Sequence, residues 1–201
     1  MDKPKTKWRP SPNFSARTGK IEYIVLHGTG KKNDKEALSH LCNPKTEVSC
    51  HYYITEKGKL YQLVGDADVA WHAGVSAWGA AKSLNFNSIG IELFNSTAGN
   101  GKGYNLTQMK TLVELLSYLI EQYGIPLENV LGHSDIAPAR KTDPGRFFNW
   151  FYLYWSGVAL PLPDYELPTS SELSSMGYRD SYKNNLRAYM LRQGVLLELP
   201  E

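Results

Sequence analysis

The segment "TQMKTLVELLSYLIEQYG", Thr107 to Gly124, constrains the fold of this chain more than any other. Met109, Leu112, Val113, Leu116, Leu119 and Ile120 fall on one face of a 3.6-residue helix, so the spacing predicts a long, half-buried helix capped by Thr107 and ended by Gly124. A helix of this kind draws most of its stability from what its apolar face covers. Short runs of β-formers supply such a surface. "IEYIVLHG", from Ile21, has the continuous apolar character of a buried strand and stops at Gly28; "SIGIELF", from Ser88, and "ENVLGH" read the same way. "CHYYITEKGKLYQLV", from Cys50, reads as a hairpin turning through Gly58. Asn33 or Asp34 is placed to cap a short helix through "KEALSHLC".

These strands and helices alternate without an internal repeat and amount to one α/β domain in 201 residues, 42% of them hydrophobic. Residues 1–20 are expected to form an extended N-terminal arm, residues 21–160 the main domain, and residues 161–201 a Pro- and Ser-rich linker, "LPLPDYELPTSSELSS", followed by a short helical extension. That extension is too small to hold a core of its own. The formal charge of +2, without a basic run or an aromatic-interleaved basic stripe, argues against a nucleic-acid partner. No apolar run approaches the ~20 residues of a membrane span, so no transmembrane segment is expected. Cys42 and Cys50 lack the paired spacing of a structural zinc site and are expected to be buried or free thiols; a bridge between them would require an oxidising compartment.

The chemistry gathers where strands end. His27 and His133 each follow a short apolar strand and precede a loop, and Asp143 lies ten residues beyond His133 across "HSDIAPARKTDPG", a loop stiffened by Pro138 and Pro144. A single histidine at such a place is ordinarily structural. Two imidazoles and a carboxylate together make the three-ligand set of a catalytic zinc, with the fourth position left to water. Asp135 is an alternative to Asp143, although two residues after His133 it is better placed to cap the loop backbone. A hydrolytic zinc site also needs a base and a cation near the developing oxyanion. Glu92 interrupts an apolar strand on the same face as Gly90, either turned to solvent or held as that base; Lys141 and Arg140 are the candidate cations. "VAWHAGVSAW" sets Trp71, His72 and Trp78 among small residues, the composition of a cleft for sugars or peptides, and these three are the candidate substrate contacts, with a third nitrogen ligand or a structural role as the alternatives for His72. His40 and His51 are expected to be structural.

The stretches "IVLHGTG", "VSCHYYITEKGKLYQLV", "AWHAGVSAWGAAKSLNFNSIGIEL" and "NVLGHSDIAPARKTDPG" occur in the order seen in the zinc-dependent N-acetylmuramoyl-L-alanine amidases of the AmpD/AmiD type, which the chain resembles from about Arg9 to Phe148. Phage lysozyme-type amidases and peptidoglycan recognition proteins are more distant relatives. The resemblance implies a central mixed β-sheet flanked by helices, with one zinc ion in a groove on one face. It assigns the zinc to His27, His133 and Asp143, and matches Glu92 and Lys141 to the catalytic glutamate and lysine. Arg140 joins Trp71, His72 and Trp78 as a substrate contact. The implied reaction is hydrolysis of the amide between N-acetylmuramic acid and L-alanine in peptidoglycan or muropeptides, anhydromuropeptides included, during cell-wall turnover or recycling. The alternative of another class is a non-catalytic peptidoglycan-binding module. Cys50 stands where distant relatives carry a catalytic tyrosine, a departure that the AmpD/AmiD branch shares. The "SPNFSAR" arm favours the AmiD side and, if the chain is a mature form, a bacterial envelope or periplasmic location; the alternative is cytoplasmic.

Overall fold

A computed structural model describes residues 1–159; the linker and helical extension expected at 161–201 lie outside the described residues. In chain order the elements are β1 (Lys7–Trp8), β2 (Phe14–Ala16), β3 (Tyr23–Gly28), α1 (Asp34–Leu41), β4 (Tyr52–Ile54), β5 (Leu60–Gln62), β6 (Asp68–Ala70), β7 (Ala77–Trp78), β8 (Ala81–Lys82), β9 (Ser88–Leu93), α2 (Leu106–Tyr123), β10 (Val130–Gly132), α3 (His133–Ile136) and α4 (Trp150–Trp155). Six strands form the central sheet in the order β1-β5-β4-β9-β3-β10. β4, β9, β3 and β10 run parallel to one another, while β5 is antiparallel to β4 through the predicted hairpin. The sheet is therefore mixed and lies between helices, as expected.

α2 is the crossover between parallel strands β9 and β10, and its apolar side is what makes that connection bury a core. Met109, Leu112, Leu115, Leu116 and Leu119 pack with Ile24 and Leu26 of β3, Ile89, Ile91 and Leu93 of β9, and α4. Val113 and Ile120, expected on the buried face, are only partly covered, and Leu115 takes the central position instead. The helix also begins earlier than Thr107. Asn105 Oδ1 accepts the Gln108 N–H at 3.0 Å, and Gln108 Oε1 accepts the Asn105 N–H at 3.3 Å, a reciprocal cap that brings Leu106 and Thr107 into the helix, which a cap at 107 would leave outside. Gly124 ends it in the left-handed region, φ 63°, as predicted. Asn33 caps α1 by accepting the Glu36 N–H.

The N-terminal arm is extended but woven into the domain. β1 pairs with β5 and β2 with β6. The Arg17 guanidinium donates to the carbonyls of Asp66, Asp68, Phe86 and Ser88, tying the arm to the start of β9.

Strand alternation divides the sheet into two unlike faces. Ile24, Leu26, Ile89, Ile91 and Leu93 point to α2; Val25 and His27 on β3, and Gly90 and Glu92 on β9, point the other way. On that second face Val25, Leu131, Ala73, Leu84 and Ile136 form a smaller apolar cluster. The candidate residues sit beyond it, at the carboxyl ends of the parallel strands, where open α/β sheets leave room for ligands.

Candidate metal centre

Register sets the first half of the site: His27 and Glu92 are direct cross-strand partners on β3 and β9. β10, on the other side of β3, ends at Gly132, so His133 emerges beside His27 as the first residue of α3. Asp143 arrives from the loop that follows. The Ser134 N–H donates to the Asp143 carbonyl at 2.8 Å, folding the loop back onto the start of α3.

His27 Nδ1, His133 Nδ1 and Asp143 Oδ2 form a triangle with edges of 2.9, 3.3 and 3.2 Å. Four-coordinate zinc with bonds of 2.0–2.1 Å has ligand atoms about 3.3 Å apart, so the triangle has the size of one face of that tetrahedron. Both imidazoles are buried, while the Asp143 side chain keeps 13% of its surface exposed, so the open side of the triangle faces outward. Three electron-rich atoms this close call for a cation between them, because a single proton can bridge only one pair. His133 Nε2 lies 3.2 Å from the Ala73 carbonyl, which can only accept; His133 therefore carries its proton there and presents a lone pair at Nδ1. Burial, and then the neighbouring His133, lower the His27 pKa to about 4, leaving it neutral and fit to ligate.

Glu92 stands on the same side of the sheet, and its Oε2 is buried without a hydrogen-bond partner. Burial, with a contribution from Asp143, raises its pKa to about 8, while Lys141 and Lys31 oppose the shift. Glu92 is partly buried, with Oε2 shielded from solvent, so it is not a fully solvated surface carboxyl. Lys141 is half-buried on the Asp143 loop, with its charge acting on both Glu92 and His27. Asp135 takes the capping place, Oδ2 accepting the Gly132 N–H at 2.6 Å.

Two expected substrate contacts are engaged elsewhere. The Arg140 guanidinium donates to the Ala73 and Val75 carbonyls, so it clamps the 73–75 loop to the Asp143 loop. His72 lies behind His27, its Nδ1 3.0 Å from His27 Nε2, with its ring where a Cβ on Gly90 would be. Trp71 is half-buried, its indole N–H directed to Ser15 Oγ at 3.4 Å. Trp78 is half-buried against the smaller cluster, and Val75, three residues before it in the chain, is 86% exposed. His51 is structural: fully buried, it accepts the Gly90 N–H at Nδ1. His40 lies in the last turn of α1. Both cysteines are free, and Cys50 is buried among Leu38, Tyr53 and Phe94.

The sequence reading did not single out Tyr104. Its hydroxyl donates to the Pro144 carbonyl at 2.9 Å, and its ring meets Phe148 edge-on, bracing the residue next to Asp143. A lone tyrosine within the polar stretch "STAGNGKGYN" was the available signal, and the structure buries it fully. Gly99 belongs to the same brace, since a Cβ there would strike the Pro144 carbonyl.

The model of the N-acetylmuramoyl-L-alanine amidase family matches residues 17–146. The chain belongs to that family. The amidase relatives include AmiD of Escherichia coli strain K12, 38% identical over 152 residues, 69% of this chain and 54% of AmiD. The 1,6-anhydro-N-acetylmuramyl-L-alanine amidase AmpD of Haemophilus influenzae is 39% identical over 104 residues, 51% of this chain and 55% of AmpD. The chain thus spans about half the length of the curated amidases it matches. Among solved amidase structures, a selenomethionine derivative of AmpD superposes with a TM-score of 0.68 at 28% identity, covering 76% of this chain and 94% of that one. E. coli AmiD in complex with anhydro-N-acetylmuramic acid-L-Ala-D-gamma-Glu-L-Lys gives 0.64 at 31% identity, covering 87% of this chain and 74% of that one.

Proposed function

We propose that this chain is a zinc hydrolase cleaving the amide between the lactyl group of N-acetylmuramic acid and L-alanine, in peptidoglycan or its muropeptide fragments. The observation that carries the proposal is the triangle of His27 Nδ1, His133 Nδ1 and Asp143 Oδ2 with an unpaired Glu92 oxygen on the same face. Zinc held there would polarise the scissile carbonyl and lower the pKa of a water to about 7. Glu92 takes the proton of the attacking water and delivers it to the leaving amine of L-alanine; a carboxyl whose pKa lies near neutrality is suited to both transfers. Lys141, whose charge acts on Glu92 and His27, would supply the ammonium that offsets the negative charge developing on the carbonyl oxygen. Trp78 and the exposed Val75, on the segment that Arg140 ties to the Asp143 loop, would contact the sugar or the stem peptide.

The solved complexes of AmiD and of Pseudomonas aeruginosa AmpDh3 with anhydromuropeptides support muropeptides as the substrate class. The longer match to AmiD favours action in the bacterial envelope, on intact sacculi as well as anhydromuropeptides. Among the described residues no helix is long and apolar enough to cross a membrane. The test is hydrolysis of purified muramyl-peptide followed by mass spectrometry, with a chelator and then zinc add-back. Release of an intact stem peptide with a free L-alanine amino terminus, lost on chelation and restored by zinc, is the expected result. Zinc binding without release would instead make the chain a peptidoglycan-binding module.

A further inference from the structure

Behind the metal triangle runs a line of hydrogen bonds that the reaction does not use. His27 Nε2 faces His72 Nδ1 at 3.0 Å, His72 Nε2 faces Ser88 Oγ at 3.2 Å, and Ser88 Oγ is bonded to the Leu84 carbonyl. The direction of the whole line is settled at its far end. The Leu84 carbonyl has no proton to give, so the single Ser88 hydroxyl proton is spent on it. Ser88 Oγ must then accept, which places a proton on His72 Nε2. A neutral His72 has no second proton, so its Nδ1 accepts in turn and His27 Nε2 donates. His27 is left with a bare lone pair at Nδ1, the atom turned toward His133 and Asp143. The reverse order would put a proton on His27 Nδ1, pointing into the triangle.

We propose that His72, oriented by Ser88, is the positioning residue that locks His27 into its metal-binding tautomer. The adjoining residue does the same for the other imidazole, since the Ala73 carbonyl holds the proton of His133 Nε2. Two consecutive residues thus orient both ligands. They are themselves fixed by Asn85, whose Oδ1 accepts the His72 N–H at 3.0 Å and the Ala73 N–H at 2.6 Å. Gly90 supplies the space, because a Cβ there would displace the His72 ring.

The inference rests on His27, His133 and Asp143 holding the metal, and the experiment separates the two ideas. Zinc affinity is measured by competition with a chromophoric chelator for the parent, His72→Phe, His72→Asn and Ser88→Ala. A parent without zinc affinity overturns the metal reading and the relay with it. With a zinc-binding parent, His72→Phe is expected to weaken binding by about 10–100-fold, the range seen when such outer partners are removed. His72→Asn, which returns an acceptor oxygen near the Nδ1 position, is expected to restore most of the loss, and Ser88→Ala to weaken binding less than His72→Phe. Affinities equal to the parent in both His72→Phe and Ser88→Ala, or a His72→Asn as weak as His72→Phe, overturn the relay. Nitrogen-15 spectra of the zinc-loaded parent decide the point even if a variant fails to fold: a His72 proton on Nε2 supports it, and one on Nδ1 overturns it.

Discussion

The two faces of the central sheet are built from the same strands and do opposite things. Toward α2, β3 and β9 present branched aliphatics, Ile24 and Leu26, then Ile89, Ile91 and Leu93, all fully buried. One residue along, the other face carries His27, Gly90 and Glu92. The apolar face gains from every atom it removes from water. On the second face a buried Glu92 oxygen without a hydrogen-bond partner and three converging donor atoms are held in place at a cost in stability. The contrast teaches that the site can be strained because the α2 face is not; a one-residue shift in register would exchange them.

The sharpest way to break the comparison is Glu92→Gln. It should lower amide hydrolysis by about 10²–10⁴-fold, the usual contribution of a general acid–base group, while zinc content stays at the parent level. Turnover within a few-fold of the parent, at full zinc occupancy, would remove Glu92 from the mechanism. Leu116→Ala on the opposite face should do the converse: about 2–5 kcal/mol lost in denaturant unfolding of the zinc-free protein, with the zinc affinity of the remaining folded protein unchanged. A matching loss of zinc affinity would mean that the faces are coupled rather than separate.

A smaller, pH-dependent effect sharpens the same contrast. Glu92 titrates near 8 in the folded, zinc-free protein, above its ordinary value of 4.5. Its contribution is therefore fully present below about pH 4.5 and is lost as pH rises to about 8. Buried neutral His27, with its pKa near 4, has the opposite trend between about pH 4 and 6.5. The parent alone thus mixes two slopes, whereas the difference between the parent and Glu92→Gln isolates one. In urea titrations from pH 5 to 8, the parent's stability should fall relative to that of the variant; a difference independent of pH would show that Glu92 is not desolvated. The smallest effect tests the α2 side. Asn105→Ala should cost about 1 kcal/mol through the lost cap, and Thr107→Ala, at a position inside the first turn, less than about 0.5 kcal/mol.

Periodicity and spacing carried much of this protein. The 3.6-residue pattern of α2, the apolar runs of β3 and β9 and the hairpin at Gly58 are local signals, written in neighbouring residues; the loop expected from His133 begins instead as the single-turn helix α3, and only its remainder up to Asp143 is a loop. Alternation alone put Glu92 on the Gly90 face. The ordered motifs added the family and the expectation of a mixed sheet. Local signals failed where two acceptable residues competed: Thr107 and Asn105 are both good caps, and only the Gln108 side chain reaching back to Asn105 decides between them.

Only the tertiary structure could tell which polar residues face the open site and which stand behind it. In sequence, Arg140 and Lys141 are adjacent cations and Trp71, His72 and Trp78 one aromatic cluster. In the fold, Arg140 is committed to the Ala73 and Val75 carbonyls, and His72 stands behind His27. Tyr104 reaches Pro144 across 40 residues, and His27 meets His133 across 106. Residue type and period are properties of a few consecutive positions and survive in the linear text. Hydrogen-bond partnership between distant segments depends on strand order and loop closure, which no local pattern encodes.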